Sequence, residues 1–132
     1  NSEGGDVYSG FALIDVMKSS GRKIQTVGCG LIAPMGAMIF IAGSPGLRVM
    51  TKNSFIMTHQ FYDYMEGKYH ELVASRGHQD ALHELFMKHI VANTKMSEAQ
   101  VRDRLLKHSD EWIGADEALK IGMCDKVVSV IA

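Results

Sequence analysis

Apolar and polar residues follow two different rhythms along this chain, and the change comes near residue 66. In the first half the apolar runs are short and broken by glycine. Phe11, Ile14 and Met17, with Leu13 and Val16 beside them, recur at helical spacing and predict a helix over residues 11–20. Ser9 stands ahead of it as a candidate N-cap, and Gly21 stops it. Ile24-Gln25-Thr26-Val27-Gly28-Cys29 predicts a short buried strand. The stretch from Gly30 to Gly36 breaks that strand and leads into an apolar helix over residues 35–42. Gly43-Ser44-Pro45-Gly46 is a turn, and residues 47–51 and 54–58 predict two short strands joined by Lys52-Asn53.

The second half predicts mostly helix. Residues 66–94 carry one apolar stripe of Tyr69, Leu72 and Val73 and a second of Leu82, Leu85, Phe86, His89 and Ile90. The stripe shifts near Gly77, which predicts a bend or a change of packing partner there. Ser97 with Gln100 forms a capping box for a helix reaching about residue 107. Residues 115–121 predict a last short helix closed by Gly122, and residues 126–131 a final strand. Strand and helix in alternation predict an α/β fold with strands paired in parallel through crossovers.

Composition narrows the function classes. The 132 residues suit one domain, 1–132, and 46% hydrophobic with 22% charged residues is ordinary for a folded chain. Fourteen basic against 15 acidic residues leave a net charge of −1, which gives no electrostatic case for nucleic acid or an anionic membrane as partner. The longest apolar run, residues 35–43, is about half of what crosses a bilayer. Two cysteines, Cys29 and Cys124, are too few for a disulfide scaffold and fit a reducing compartment, the cytoplasm or an organelle interior. No basic leader with an apolar centre opens the chain, so secretion is not expected; Asn1 rather than Met comes first, which suggests a processed or trimmed start.

Read one at a time, the polar residues promise little chemistry. His70, His78, His83, His89 and His108 are scattered with no i, i+4 pair, so no metal and no cofactor is expected. Gly28-x-Gly30 lacks the third glycine and the acidic residue of a dinucleotide loop. Taken alone, His59 would be a hydrogen-bonded structural histidine, Asp110 a solvated or capping carboxylate and Gly4-Gly5 a turn.

In combination they resemble something specific. Asn1-Ser2-Glu3-Gly4-Gly5, Gly30-x-x-Ala33-x-Met35-Gly36, Met57-Thr58-His59-Gln60 and Asp110-Glu111-Trp112-x-x-Ala115-x-Glu117-Ala118-x-x-x-Gly122-x-x-Asp125 follow one another in order and at family-like spacing. The chain thereby resembles the Clp protease proteolytic subunit family over essentially its whole length, lacking that family's usual amino-terminal region. The resemblance implies a fold of the ClpP and crotonase kind, stacked strand–helix–strand units, with a long helical handle over about residues 61–95. It also implies a serine endopeptidase whose subunits stack in a double ring, take unfolded polypeptide and meet an AAA+ unfoldase.

The family's nucleophile sits in Gly-x-x-Ala-Ser-Met-Gly, and here the serine position is Pro34. His59, 25 residues on, matches the general base; Asp110 matches the carboxylate that orients it; Gly5 and Met35 match the oxyanion-hole positions. Proline carries no hydroxyl or thiol and cannot form an acyl-enzyme. In the serine protease template, loss of a triad member leaves roughly 10³–10⁴-fold catalysis over water, too little to matter for amide hydrolysis. The first expectation is therefore a catalytically impaired ring subunit, alone or mixed with active subunits. The second is a Clp-type endopeptidase rescued by another nucleophile, Cys29 or Ser44. The third, disfavoured, is a crotonase-like acyl-thioester enzyme using the oxyanion hole alone. Three lesser departures are Glu3 in place of proline, Gly114 in place of serine, and the aromatic stretch 61–67 where the family carries a glycine-bearing strand.

Overall fold

A computed structural model describes residues 1–59 and 65–129. Helix α1 spans Val7–Ser19, starting four residues before the expected position. Asp6, not Ser9, is its N-cap: the Asp6 carboxylate accepts from the Ser9 backbone N–H at 2.8 Å and from the Ser9 hydroxyl at 2.6 Å. Those two bonds hold the Asp6 carboxyl below its ordinary range.

Among the described residues six short strands form two sheets. In the first, β1 (Thr26–Gly28), β3 (Arg48–Thr51) and β6 (Lys126–Val128) lie in the order β1-β3-β6, all parallel. In the second, β2 (Leu31–Ile32) pairs parallel with β4 (Phe55–Thr58), and β5 (Glu111–Gly114) pairs antiparallel with β4. The expected α/β class is thus present, with two corrections. The chain re-enters a sheet at β2 directly after Gly30, and β5, which no periodicity announced, brings an antiparallel pair into an otherwise parallel arrangement. The last expected strand is short, and residues 130–132 lie outside the described residues.

Between the sheets runs α2 (Pro34–Ile41), where Met35, Gly36, Ala37, Met38, Phe40 and Ile41 are all buried. A helix that is apolar all round must be buried on all sides, and α2 is accordingly the centre of the core, packed with Ile14, Met50, Ile56, Ile90 and Ile113. Nothing in the described helices is long and apolar enough to cross a membrane.

The long helix α3 (Tyr69–Asn93) runs unbroken through Gly77. Glu71 accepts from the Lys68 backbone N–H at 2.8 Å and so closes its first turn. Its two ends have different surroundings. Phe86, Met87, His89 and Ile90 are buried, whereas Tyr69 and Val73, from the first expected stripe, are 74% and 54% exposed. Tyr8 of α1 reaches the outer half, its hydroxyl 2.5 Å from His78 Nε2 with the rings stacked. Residues 60–64, where the handle was expected to begin, lie outside the described residues.

After the Ser97–Gln100 capping box, α4 is only Glu98–Gln100. It passes into a π-helical turn, Val101–Leu105, closed by the Leu106 N–H donating to the Val101 carbonyl at 3.1 Å. Helix α5 (Ala115–Ile121) ends, as expected, at Gly122 in the left-handed conformation. Arg48 ties these parts together. It meets Asp125 through Nε at 2.9 Å and Nη2 at 2.5 Å, and its Nη1 donates to the Asn93 carbonyl at the end of α3.

Candidate active site

The site begins where β2 becomes α2. Proline disfavours the helical conformation in the residue before it, and Ala33 is extended at φ −102°, ψ 169°. Pro34 then occupies the first helical position, where its missing N–H has no intrahelical partner to lose. The Ala33 carbonyl accepts from the Ala37 N–H at 3.2 Å. The N–H groups of Met35 and Gly36 thus lie in the first turn, outside the helical ladder, at the positive end of the helix dipole.

The opening segment runs beside this turn. Ser2 bridges to Ile32 in parallel fashion: its N–H donates to the Leu31 carbonyl and its carbonyl accepts from the Ala33 N–H, both at 2.8 Å. The Gly4 N–H then donates to Ser2 Oγ at 3.1 Å. Gly4 and Gly5 have φ of +94° and +147°, conformations that side-chain-bearing residues rarely adopt. A Cβ on Gly4 would stand 3.3 Å from the Met35 nitrogen and 3.4 Å from Pro34 Cδ. Gly4 therefore brings backbone against the first turn of α2, while a Cβ on Gly5 would meet nothing within 4 Å.

His59 follows the last residue of β4. In the β4–β5 ladder Met57 opposes Trp112 and Thr58 opposes Glu111. The ladder ends there, one residue before His59 on one strand and one residue after Asp110 on the other. Asp110 itself is exposed at the foot of β5. The neighbouring strand end is fastened by charge: Arg104 Nε meets Glu111 at 2.7 Å, Arg104 Nη1 meets Glu117 at 2.7 Å, and Lys107 Nζ meets Glu111 at 2.8 Å. These bonds, from Lys107 first and Arg104 second, lower the Glu111 pKa; Arg104 lowers that of Glu117, and the Arg104 guanidinium is pushed up in turn, chiefly by Glu111.

The start of α2, the opening segment and His59 meet at a cleft of about 240 Å³. Gly5, Pro34, Met35 and His59, four of the five residues singled out from sequence, line it together with Glu3, Val7 and Phe86. Asp110 is not in the lining. Val7 and Phe86 were not anticipated as site residues, although Phe86 lies on the inward stripe of α3. The arrangement brings the His59 side chain into one cleft with a helix N-terminus able to stabilise an oxyanion. Among the described lining residues none has a hydroxyl or a thiol.

The two alternative nucleophiles lie elsewhere. Ser44 follows α2 at its far end, about 12 Å along the helix axis from Pro34 at 1.5 Å per residue, and its hydroxyl accepts from the Ile24 N–H. Cys29 sits between β1 and β2, outside the cleft lining. Cys124 is buried, which pushes its thiol up to about 11. No group of three or more His, Cys, Asp or Glu side chains is placed to hold a metal among the described residues.

Comparison with known proteins agrees with this architecture. The Clp protease family model matches residues 1–130. The chain is 33% identical over 129 residues to an ATP-dependent Clp protease proteolytic subunit of Porphyromonas gingivalis (strain ATCC BAA-308 / W83), covering 97% of this chain and 57% of that protein. It is 32% identical over 129 residues to ATP-dependent Clp protease proteolytic subunit 2 of Thermobifida fusca (strain YX), covering 98% and 63%. Against ATP-dependent Clp protease proteolytic subunit 3 of Rhodococcus jostii (strain RHA1) it is 30% identical over 132 residues, covering 100% and 64%. The chain spans about three-fifths of the length of these curated relatives. With a family match running from the first residue to residue 130, over a fold that brings residues of the first three motifs into one cleft, this chain belongs to the Clp protease family.

Proposed function

We propose that this chain is a ring-forming subunit of a Clp-type proteolytic complex whose own centre has lost its nucleophile at Pro34. The observation that carries the reading is the cleft itself, where Pro34 opens α2 in a space shared with Gly5, Met35 and His59. In this reading a serine at position 34 would attack a peptide carbonyl. His59 would take its proton and return it to the leaving amine, and Asp110 would hold the imidazole in the right tautomer. The Gly5 and Met35 N–H groups would receive the oxyanion. Pro34 deletes only the attacking oxygen, because the turn it occupies is one that proline favours.

The remaining features of the reading are consistent with one domain, 1–132, that works in an assembly. The outer half of α3 leaves Tyr69 and Val73 uncovered, which suits a handle of about residues 61–95 that interlocks with other subunits, identical or serine-bearing. An AAA+ unfoldase would deliver unfolded polypeptide to such a ring. Two free cysteines fit a reducing compartment, the cytoplasm or an organelle interior. Rescue by Cys29 or Ser44 is weakened by their positions outside the cleft. For an acyl-thioester activity, no observation favours it over the protease pattern.

The test is hydrolysis of a small uncharged fluorogenic peptide by the wild-type chain and by Pro34→Ser, with particle size measured for both. The reading predicts a silent wild type and a cleaving Pro34→Ser. Cleavage by the wild type overturns the loss of function, and silence of both in assembled particles overturns the claim that the rest of the centre is intact.

A further inference from the structure

We propose that Glu3 makes the cleft selective for a polypeptide segment carrying a lysine or arginine side chain, an inference that rests on the peptide-binding reading above. Glu3 is the one carboxylate among the described residues that line the cleft. The rest of the lining is Gly5, the His59 imidazole and the apolar Val7, Pro34, Met35 and Phe86. A long cationic side chain suits such a surface, since its methylene stem can lie along apolar groups while its charge meets the carboxylate. An acidic side chain entering the same space would meet repulsion from Glu3.

The backbone that carries Glu3 is also anchored on both sides. On one side Ser2 is bonded into the β2 edge through two 2.8 Å backbone hydrogen bonds. On the other, Gly4 packs its backbone against Pro34 and Met35 and donates to Ser2 Oγ. Glu3 is therefore held between two anchored residues at the rim of the cleft, and a charge held in place discriminates better than one on a mobile segment. Because Glu3 is exposed, the preference is of the size of a partly solvated ion pair, about two- to fivefold, and weakens with salt.

The experiment uses full-length Pro34→Ser protein and matched fluorogenic peptides with lysine, norleucine or glutamate at single positions on either side of the scissile bond. At one position the lysine peptide should show a kcat/KM about two- to fivefold above the norleucine peptide, and the glutamate peptide should fall below it. Adding Glu3→Gln should bring the lysine-to-norleucine ratio to about one, and Glu3→Lys should invert the order to favour glutamate. A charge inversion of this kind is not produced by a merely structural role. Cleavage with no cation preference, or a preference that survives Glu3→Gln, overturns the role of Glu3 and leaves the peptidase reading standing. Silence toward every peptide overturns the peptidase reading instead. Fluorescence anisotropy of the labelled peptides on the wild-type chain then tests Glu3 separately: equal binding of the lysine and norleucine peptides overturns it.

Discussion

The two sides of the cleft are made of different material. On one side Gly5, Pro34 and Met35 stand where the opening segment, held by the backbone bridge of Ser2 to β2, meets the first turn of α2. On the other, His59 contributes a side chain just beyond the end of β4, and its relation to Asp110, which lies outside the lining at the foot of β5, depends on the β4–β5 register and on the Arg104–Glu111–Lys107 ion pairs beside it. Backbone geometry survives a change of side chain when the new residue fits the conformation, as proline fits the start of a helix. A site built this way can lose its reacting atom and keep its shape. The side-chain half has no such tolerance, since each group there acts only through its own atoms.

The sharpest way to break this comparison is to restore the nucleophile and then remove one half at a time. In a Pro34→Ser chain, His59→Ala should lower kcat by about 10⁶-fold, measured by peptide hydrolysis, with the fold unchanged by circular dichroism. Arg48 lies on neither side and should behave as a stability residue. Arg48→Met leaves the Asp125 carboxylate without its bidentate partner and should cost about 3–5 kcal/mol in urea denaturation. Gly4→Ala tests the backbone half: strain at φ +94° displaces the loop carrying Gly5, and kcat of the Pro34→Ser chain should drop about 10²-fold.

A smaller effect comes from pH. Arg48 holds the Asp125 carboxyl at about 2, below its ordinary 3.8. A depressed folded-state pKa stabilises the fold above the unfolded value, so about 2 kcal/mol is present above pH 4 and lost as pH falls toward 2. His89 adds a second window with the same sign. Burial lowers its pKa, outweighing the hydrogen bond from Nε2–H to the Met38 carbonyl at 2.9 Å, which acts to raise it. The stability it contributes is complete above its ordinary 6.5 and declines as pH falls below that, which acid titration of thermal unfolding would follow for wild type against His89→Leu. The smallest effect should come from Tyr69→Ala and Val73→Ala on the outer half of α3. Each should change the stability of the isolated chain by less than about 0.5 kcal/mol, while sedimentation shows smaller particles.

Much of this was legible in the sequence, and what was not has physical reasons. The helix at residues 115–121 and its stop at Gly122 were readable because a cap and a periodic run are local signals. The start of α1 was misplaced because both Asp6 and Ser9 can cap; the carboxylate wins by accepting two hydrogen bonds from Ser9. Strand β5 has four residues and an exposed Trp112, and it exists because β4 offers it a partner, which is tertiary information. The π-helical turn was invisible for a similar reason: Val101 and Leu105 are fully buried, and packing rather than propensity sets the local pitch. The outer stripe of α3 had the right spacing for burial, but spacing cannot supply a surface to bury against. Four of the five candidate site residues share a cleft although they come from widely separated motifs, and only their order and spacing together, not any one of them, pointed there.

The central claim, that position 34 is where a nucleophile is missing, is tested most directly by reaction with a serine-directed fluorophosphonate read by intact and peptide mass spectrometry. The account predicts that the wild-type chain stays unmodified and that Pro34→Ser gains one adduct on residue 34, lost again on His59→Ala. An adduct on the wild-type chain, or a folded Pro34→Ser chain that remains unmodified, would contradict it.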